Sequence, residues 1–206
     1  MKHSLLFLTF LIIITIILSG CDGGDNPTGN SGTDDPPGSD TETVTDFEGN
    51  VYATVQIGDQ IWMAENLKSR YASDGTPLTG VYAYNNDESY VAEYGRLYTW
   101  ETALIAAPSG WHLPSEEEWD NLEATLGNEP ANDLRIGGAS GFNAKLGGYR
   151  TYEGWYAHID MWGMFWTSTV YTDDHSYTRT ILHDRTDISH TGYGIIGAIS
   201  VRCIKN

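Results

Sequence analysis

Apolar and polar residues change their spacing several times along the chain, and each change predicts a different kind of structure. Leu5 to Leu18 is an apolar run broken only by Thr9 and Thr15. A helix that crosses a bilayer needs about 20 such residues. The run is shorter and fits the hydrophobic core of an export signal, with Lys2 and His3 as its positive start and Ser19-Gly20 as small residues before Cys21. Residues 22–42, DGGDNPTGNSGTDDPPGSDTE, hold no aliphatic or aromatic side chain. Nothing there can bury apolar area to offset the entropy of ordering, which predicts a disordered, self-repelling linker spanning roughly 25 Å.

From Thr43 onward apolar residues recur to the end with no second linker, predicting one domain over 43–206. Val51, Ala53, Val55 and Ile57 alternate with Tyr52, Thr54 and Gln56, the period of a half-buried strand. Gly58-Asp59 is a turn signal and Ile61-Trp62-Met63 begins a second strand, so 51–64 reads as a hairpin. Over 115–126, Trp119, Leu122 and Leu126 form a helical stripe. Ser115 and Glu118 have capping-box spacing, Glu116–Glu118 complement the helix dipole, and Gly127 closes the helix. A second helix is expected over 97–106, carrying Leu97, Trp100, Ala103 and Leu104. Beyond residue 137 the chain is rich in Gly and aromatics, with short strands expected near 164–170, 177–183 and 198–204. Two helices followed by irregular, mostly antiparallel strands predict a loop-rich α+β fold.

Charge narrows the partners. The chain has 11 basic and 28 acidic residues and a formal charge of -17. Such a surface repels phosphate backbones, so nucleic acid is excluded as the expected partner. It also repels anionic lipid, so membrane attachment calls for a covalent anchor. Leu-Ser-Gly-Cys at 18–21 resembles the lipobox of bacterial lipoproteins. That resemblance implies cleavage after Gly20, lipidation of Cys21 and an extracytoplasmic, membrane-anchored protein. Acyl chains contribute about 0.8 kcal/mol per buried CH₂, enough for two or three of them to hold it durably.

The domain carries a second resemblance. DFEGNVYATVQIGDQIWMAENL (46–67), DGTPL (74–78), YNNDE (84–88), YGRLYTW (94–100), PSGWHLPSEEEWDNLE (108–123), GFNAKLGGYR (141–150), FWTST (165–169) and SVRCIK (200–205) resemble, in order, the Fibrobacter succinogenes major paralogous domain. That family is similar to the C-type lectin-like and formylglycine-generating folds. The resemblance therefore implies a compact C-type lectin-like domain in a bacterial surface lipoprotein, and supplies a fold better than a function. Relatives often carry Cys before PSGW, pairing by implication with the Cys of SVRC. Here that position is Ala107, which leaves Cys203 without that partner.

The candidate chemistry favours binding over catalysis. There is no GxSxG or HExxH element. Cys203 alone cannot form a reactive thiol pair, and His112, His158, His175, His183 and His190 lack metal-triad spacing. Glu116–Glu118 read as helix capping. A hydrolase built on the abundant acids stays open as an alternative, as does a structural or assembly role in the envelope. No cofactor is expected; Ca²⁺ is the one cation that the loop oxygens of Asn85, Asn86, Asp87 and Glu88 would suit. Against it, no twelve-residue Ca²⁺ loop is present, and Glu129-Pro130 is followed by Ala131 where lectin sugar sites carry EPN.

Aromatics cluster over 149–166, most of them expected in the core, with Trp155 and Tyr156 the expected exposed exceptions. Residues 167–204 hold no Lys, Glu, Gln, Met or Trp. Their Tyr, Thr, Asp, His and Ser are the types used at ligand-contact surfaces. The restricted alphabet also resembles that of lectin-fold proteins diversified by retroelements. The expected ligand surface comprises Trp155, Tyr156, Tyr171, Asp173, Asp174, His175, Tyr177, His183, Asp184, Asp187, His190 and Tyr193. The expected ligand is a glycan or a protein.

Overall fold

The computed structural model describes residues 42–206. The apolar run, Cys21 and residues 22–41 lie outside the described residues, and with them the expectations of an export signal, lipidation and a disordered linker. Among the described residues no helix is long and apolar enough to cross a membrane.

The fold is α+β, as the pattern predicts. In chain order it comprises β1 (Thr43–Thr45), β2 (Val51–Ile57), β3 (Gln60–Met63), β4 (Val81–Tyr82), α1 (Val91–Tyr94), β5 (Leu97–Tyr98), α2 (Trp100–Ala103), β6 (Trp111–His112), α3 (Glu116–Leu126) and α4 (Pro130–Leu134). There follow β7 (Gly147–Arg150), β8 (Tyr156–Ile159), β9 (Trp162–Thr172), β10 (His175–Leu182), β11 (Ile188–Gly194), β12 (Ile199–Ser200) and β13 (Ile204–Lys205). A small sheet runs β1-β2-β3-β13-β6. A larger one runs β11-β10-β9-β12-β5-β4, with β7 joined to β9 and β8 to β7. Pairing is antiparallel except for β12 and β7 against β9.

Several expected elements form where local chemistry dictates them. β2 and β3 make the predicted hairpin, with Gly58 at φ 59° in its turn. α3 carries both halves of the capping box: the Glu118 N–H donates to Ser115 Oγ, and Ser115 N–H donates to Glu118 Oε2 at 2.7 Å. Its stripe buries Trp119 and Leu122 against Trp62, Phe142 and Phe165.

The expected helix over 97–106 does not form as such. Leu97 and Tyr98 are strand β5, hydrogen-bonded between β4 and β12, and helix is confined to the single turn α2. Sheet pairing and complete burial of Tyr98 outweigh the helical spacing of the apolar residues. The expected strand over 198–204 is also divided. β12 lies in the large sheet and β13 in the small one, so the intervening Val201–Cys203 strap passes from one to the other.

That strap organises the core. Leu67 N–H donates to Val201 O and Met63 N–H to Cys203 O, both at 3.0 Å. Between them Arg202 is completely buried. Among the described residues no carboxylate hydrogen-bonds its guanidinium. Nε donates to Asn66 Oδ1 at 2.8 Å, Nη1 to the carbonyls of Met63 and Phe142, and Nη2 to that of Asn143 at 2.9 Å. Its carbon centre lies 4.4 Å from the Phe142 ring centroid. Burial pulls this guanidinium down to about 9, still protonated at neutral pH. Asn66 turns its amide to Tyr94 O at 2.8 Å. Gly95 is required beside it: at φ 75°, an added Cβ would lie 2.6 Å from Asn66 Cβ.

A second buried cation fixes the large sheet to α3. Arg179 on β10 donates to Glu116, Asp120 and Glu123, which share one face of the helix at i, i+4 and i+7. Glu123 also meets His190 of β11 at 2.9 Å.

Two stability predictions follow from these contacts. Arg202→Lys keeps the charge but leaves several buried oxygens unmet, and should lower unfolding free energy by about 3 kcal/mol in urea titration. An unchanged urea midpoint would refute the role given to Arg202. Burial alone would raise the Glu118 carboxyl, but the hydrogen bonds from Ser115 and His112 outweigh it and hold it below its usual range. A depressed carboxyl contributes stability above its unfolded pKa and loses it as pH falls. Stability should therefore decline from about pH 5 to about pH 3, and the decline should be shallower in Glu118→Gln.

Candidate functional site

The strap and the Arg179 contacts fix β9, β10 and β11 as a rigid antiparallel ribbon. His175 pairs with Thr172 of β9 and Gly194 of β11, so the 173–174 turn and the 195–197 segment lie at the same end. The β7–β8 turn reaches that end too. Arg150 and Ala198 exchange backbone hydrogen bonds at 2.8 Å, and Ile195 N–H donates to Asp174 O at 3.1 Å.

These three segments enclose an open cavity of about 650 Å³. Its lining includes Tyr149, Tyr152, Glu153, Asp174, His175 and Tyr193, together with Ile195 and Ile196. The volume falls within the range of about 300–1,000 Å³ usual for small-ligand sites. Strand alternation puts Tyr193 and Trp166 on the same face of the ribbon. Tyr193 packs on Trp166 and edge-on against Tyr149, both at 5.8 Å between ring centroids. Its hydroxyl donates to Arg150 O at 3.2 Å. Burial, then the neighbouring Tyr149, pushes the Tyr193 phenol well up, so it stays a neutral donor. Gly197 is flush against this ring, where any Cβ would collide with it.

The β7–β8 turn closes through Thr151 N–H to Trp155 O at 2.8 Å, with Gly154 at φ 97°. It projects Tyr152 and Trp155 into solvent, 66% and 73% exposed. Opposite them, Asp174 Oδ1 accepts from His175 Nδ1 at 2.8 Å and from Thr172 Oγ1 at 2.9 Å. These bonds, His175 first, hold the Asp174 carboxyl below its usual range and ionised.

The residues expected to form one ligand surface separate into several places. Asp174, His175 and Tyr193 meet at the cavity, and Trp155 stands on the turn beside it. Asp173 is exposed in the β9–β10 turn. Tyr171 and Tyr177 meet edge-on at 4.8 Å, with Tyr171 over Gly192, on the ribbon face turned toward α3. His183, Asp184 and Asp187 occupy the opposite end of the ribbon, where Asp187 pairs with Arg185 at 3.0 Å. His190 is bound to Glu123. Tyr156 is not exposed as expected. Its ring packs edge-on against Tyr84 at 5.4 Å and its hydroxyl donates to Asn86 Oδ1 at 2.8 Å.

The loop oxygens considered for Ca²⁺ are committed elsewhere. Asp87 Oδ1 caps Ser89 N–H, Glu88 forms a bidentate pair with Arg96, Asn86 serves Tyr156, and Asn85 and Asn86 adopt φ 53° and 57° in a tight turn. The geometry is a folded turn held by protein donors, not a converging oxygen cage.

The restricted alphabet of 167–204 also has a structural reason. Thr167, Ser176, Thr178, Arg179, Ile181 and the 199–203 strap are buried. The longest exposed runs of the stretch are 170–174 and 183–187, one at each end of the ribbon. Cys203 is buried as well, and burial pushes its thiol up to about 12, an unreactive state.

Tyr149, Tyr152 and Glu153 were absent from the expected surface. Tyr149 and Tyr152 are visible in the sequence as members of the aromatic cluster. What assigns them is the pairing of β7 with β9, a contact distant in sequence.

The chain matches the family described as the Fibrobacter succinogenes major domain over residues 55–205. It belongs to that family. No curated protein and no solved structure matches it. The family motifs fall mostly on the scaffold: IWMAENL, GFNA and SVRC supply the groups around Arg202, and WHLPSEEEW supplies β6 and the capped start of α3.

Proposed function

We propose that the protein is a lipid-anchored bacterial surface protein whose domain, of C-type lectin-like architecture, is a non-enzymatic module that binds glycan in the cavity at the end of the ribbon. The observation that carries this reading is the convergence of Tyr149, Tyr152 and Tyr193 with Asp174, His175 and Glu153 around one open cavity. Tyrosine rings offer flat apolar area to the faces of sugar rings, and the polar groups beside them can fix hydroxyl orientation. The lipobox-like segment ending at Cys21 supports the anchor, and the linker after it would hold the cavity away from the membrane. The open form of the site, with its aromatics on a turn and a strand end, fits capture of an extended ligand better than enclosure for catalysis.

Two measurements test the reading. On a glycan array, residues 1–206 produced with the lipid anchor and solubilised in detergent should bind a defined subset of glycans. Tyr152→Ala should weaken that binding by about tenfold with an unchanged urea midpoint. An array with no reproducible binding would overturn the glycan assignment. Separately, Cys21→Ser should move the protein from the membrane fraction to the soluble one and abolish labelling by a palmitate analogue. Retention with full labelling would sink the anchor.

A further inference from the structure

The charge around the cavity specifies the ligand more closely than the aromatic rings do. The described domain has ten Lys and Arg side chains against twenty-three Asp and Glu. Seven of the ten pair with carboxylates. Arg135 and Arg202 are held by carbonyl and amide oxygens, and Arg150 lies over the Tyr82 ring at 4.0 Å. The described domain is left with thirteen more acids than bases and a negative net field.

The cavity repeats this balance locally. Its lining contains Glu153 and Asp174 and neither Lys nor Arg. Strand alternation turns Arg150 to the side of β7 opposite Tyr149, toward Tyr82 and Tyr156. His175 is bound to Asp174 through Nδ1. Asp174 Oδ1 takes both of the hydrogen bonds to this carboxylate, from Thr172 and His175, leaving Oδ2 without a partner among the described residues. Beside the two carboxylates stand three tyrosine rings, whose negative π-faces attract cations. Arg150 over Tyr82 shows the same attraction on the other side of the strand.

Resting on the glycan reading above, we propose that the cavity selects glycans bearing a protonated amine, with the ammonium group held by Glu153 and Asp174 against the tyrosine faces. An anionic sugar would meet two carboxylates and no Lys or Arg in the lining. A neutral sugar would stack on the rings but leave both carboxylates without a charged partner.

Three tetramers with one β-1,4 backbone separate the alternatives: glucosamine, N-acetylglucosamine and glucose. They differ at C2, where the first alone carries an amine. Calorimetry with the full chain at about pH 6 keeps the amine largely charged. The glucosamine tetramer should bind about tenfold tighter than the other two and weaken as salt rises. The double variant Glu153→Gln, Asp174→Asn should lose most of that preference while keeping the wild-type urea midpoint. Equal affinity for all three sugars would overturn the amine inference and leave the glycan reading standing. Absence of binding by all three, together with a blank array, would remove both. A lysine tetramer binding as tightly as the glucosamine tetramer would overturn the inference by showing charge attraction without sugar recognition. A preference unchanged in the double variant would equally overturn it.

Discussion

The fold depends on satisfying one buried cation that is hydrogen-bonded to no carboxylate among the described residues. Desolvating a guanidinium is expensive, and a carboxylate partner is the usual remedy. Arg202 instead collects oxygens from Met63, Asn66, Phe142 and Asn143, with the Phe142 ring against its face. Those oxygens belong to the end of β3 and its following loop and to the segment before β7. Each must arrive in register, or a buried charge is left partly unmet. The hydrophobic clusters on either side of the strap supply the larger non-directional attraction, but they would tolerate sliding. The directional guanidinium bonds select a single arrangement of the two sheets.

This explains what membership of the family conveys. The segments by which the chain resembles the family include those that surround Arg202, close Gly95 against Asn66, and cap α3. They specify how the chain is held together. The cavity takes Tyr149 from one of them, GGYR, and otherwise draws on the β7–β8 turn, the 173–175 turn and the end of β11. A scaffold of this kind leaves loops at one end of a rigid ribbon free to carry recognition, an arrangement in which binding residues need not share sequence signals with the core.

Arg179 plays a related part on the opposite face of the ribbon. By engaging three carboxylates of α3, it anchors β10 and also consumes one of the few bases. The same economy holds elsewhere: the domain's cations serve the fold, and the cavity is left to carboxylates and tyrosines. The electrostatic character of the site thus follows from how the scaffold uses its positive charge.

Local chemistry determined much of this protein from sequence alone. The β2–β3 hairpin, the capped helix α3 and the α+β class are legible because alternation, capping spacing and turn residues act within a few positions. The acidic net charge is legible in the same way, since it is a sum over residues. Tertiary structure decided the rest. It made Leu97-Tyr98 a strand by placing them between β4 and β12, and it divided 198–204 between two sheets. It sent His183, Asp184 and Asp187 to one end of the ribbon and Asp174, His175 and Tyr193 to the other. Residues ten apart in sequence look like one cluster, but across a strand rising about 3.3 Å per residue they stand at opposite ends. Tyr149 and Tyr152 joined the cavity only through pairing between distant strands, a contact that no local pattern encodes.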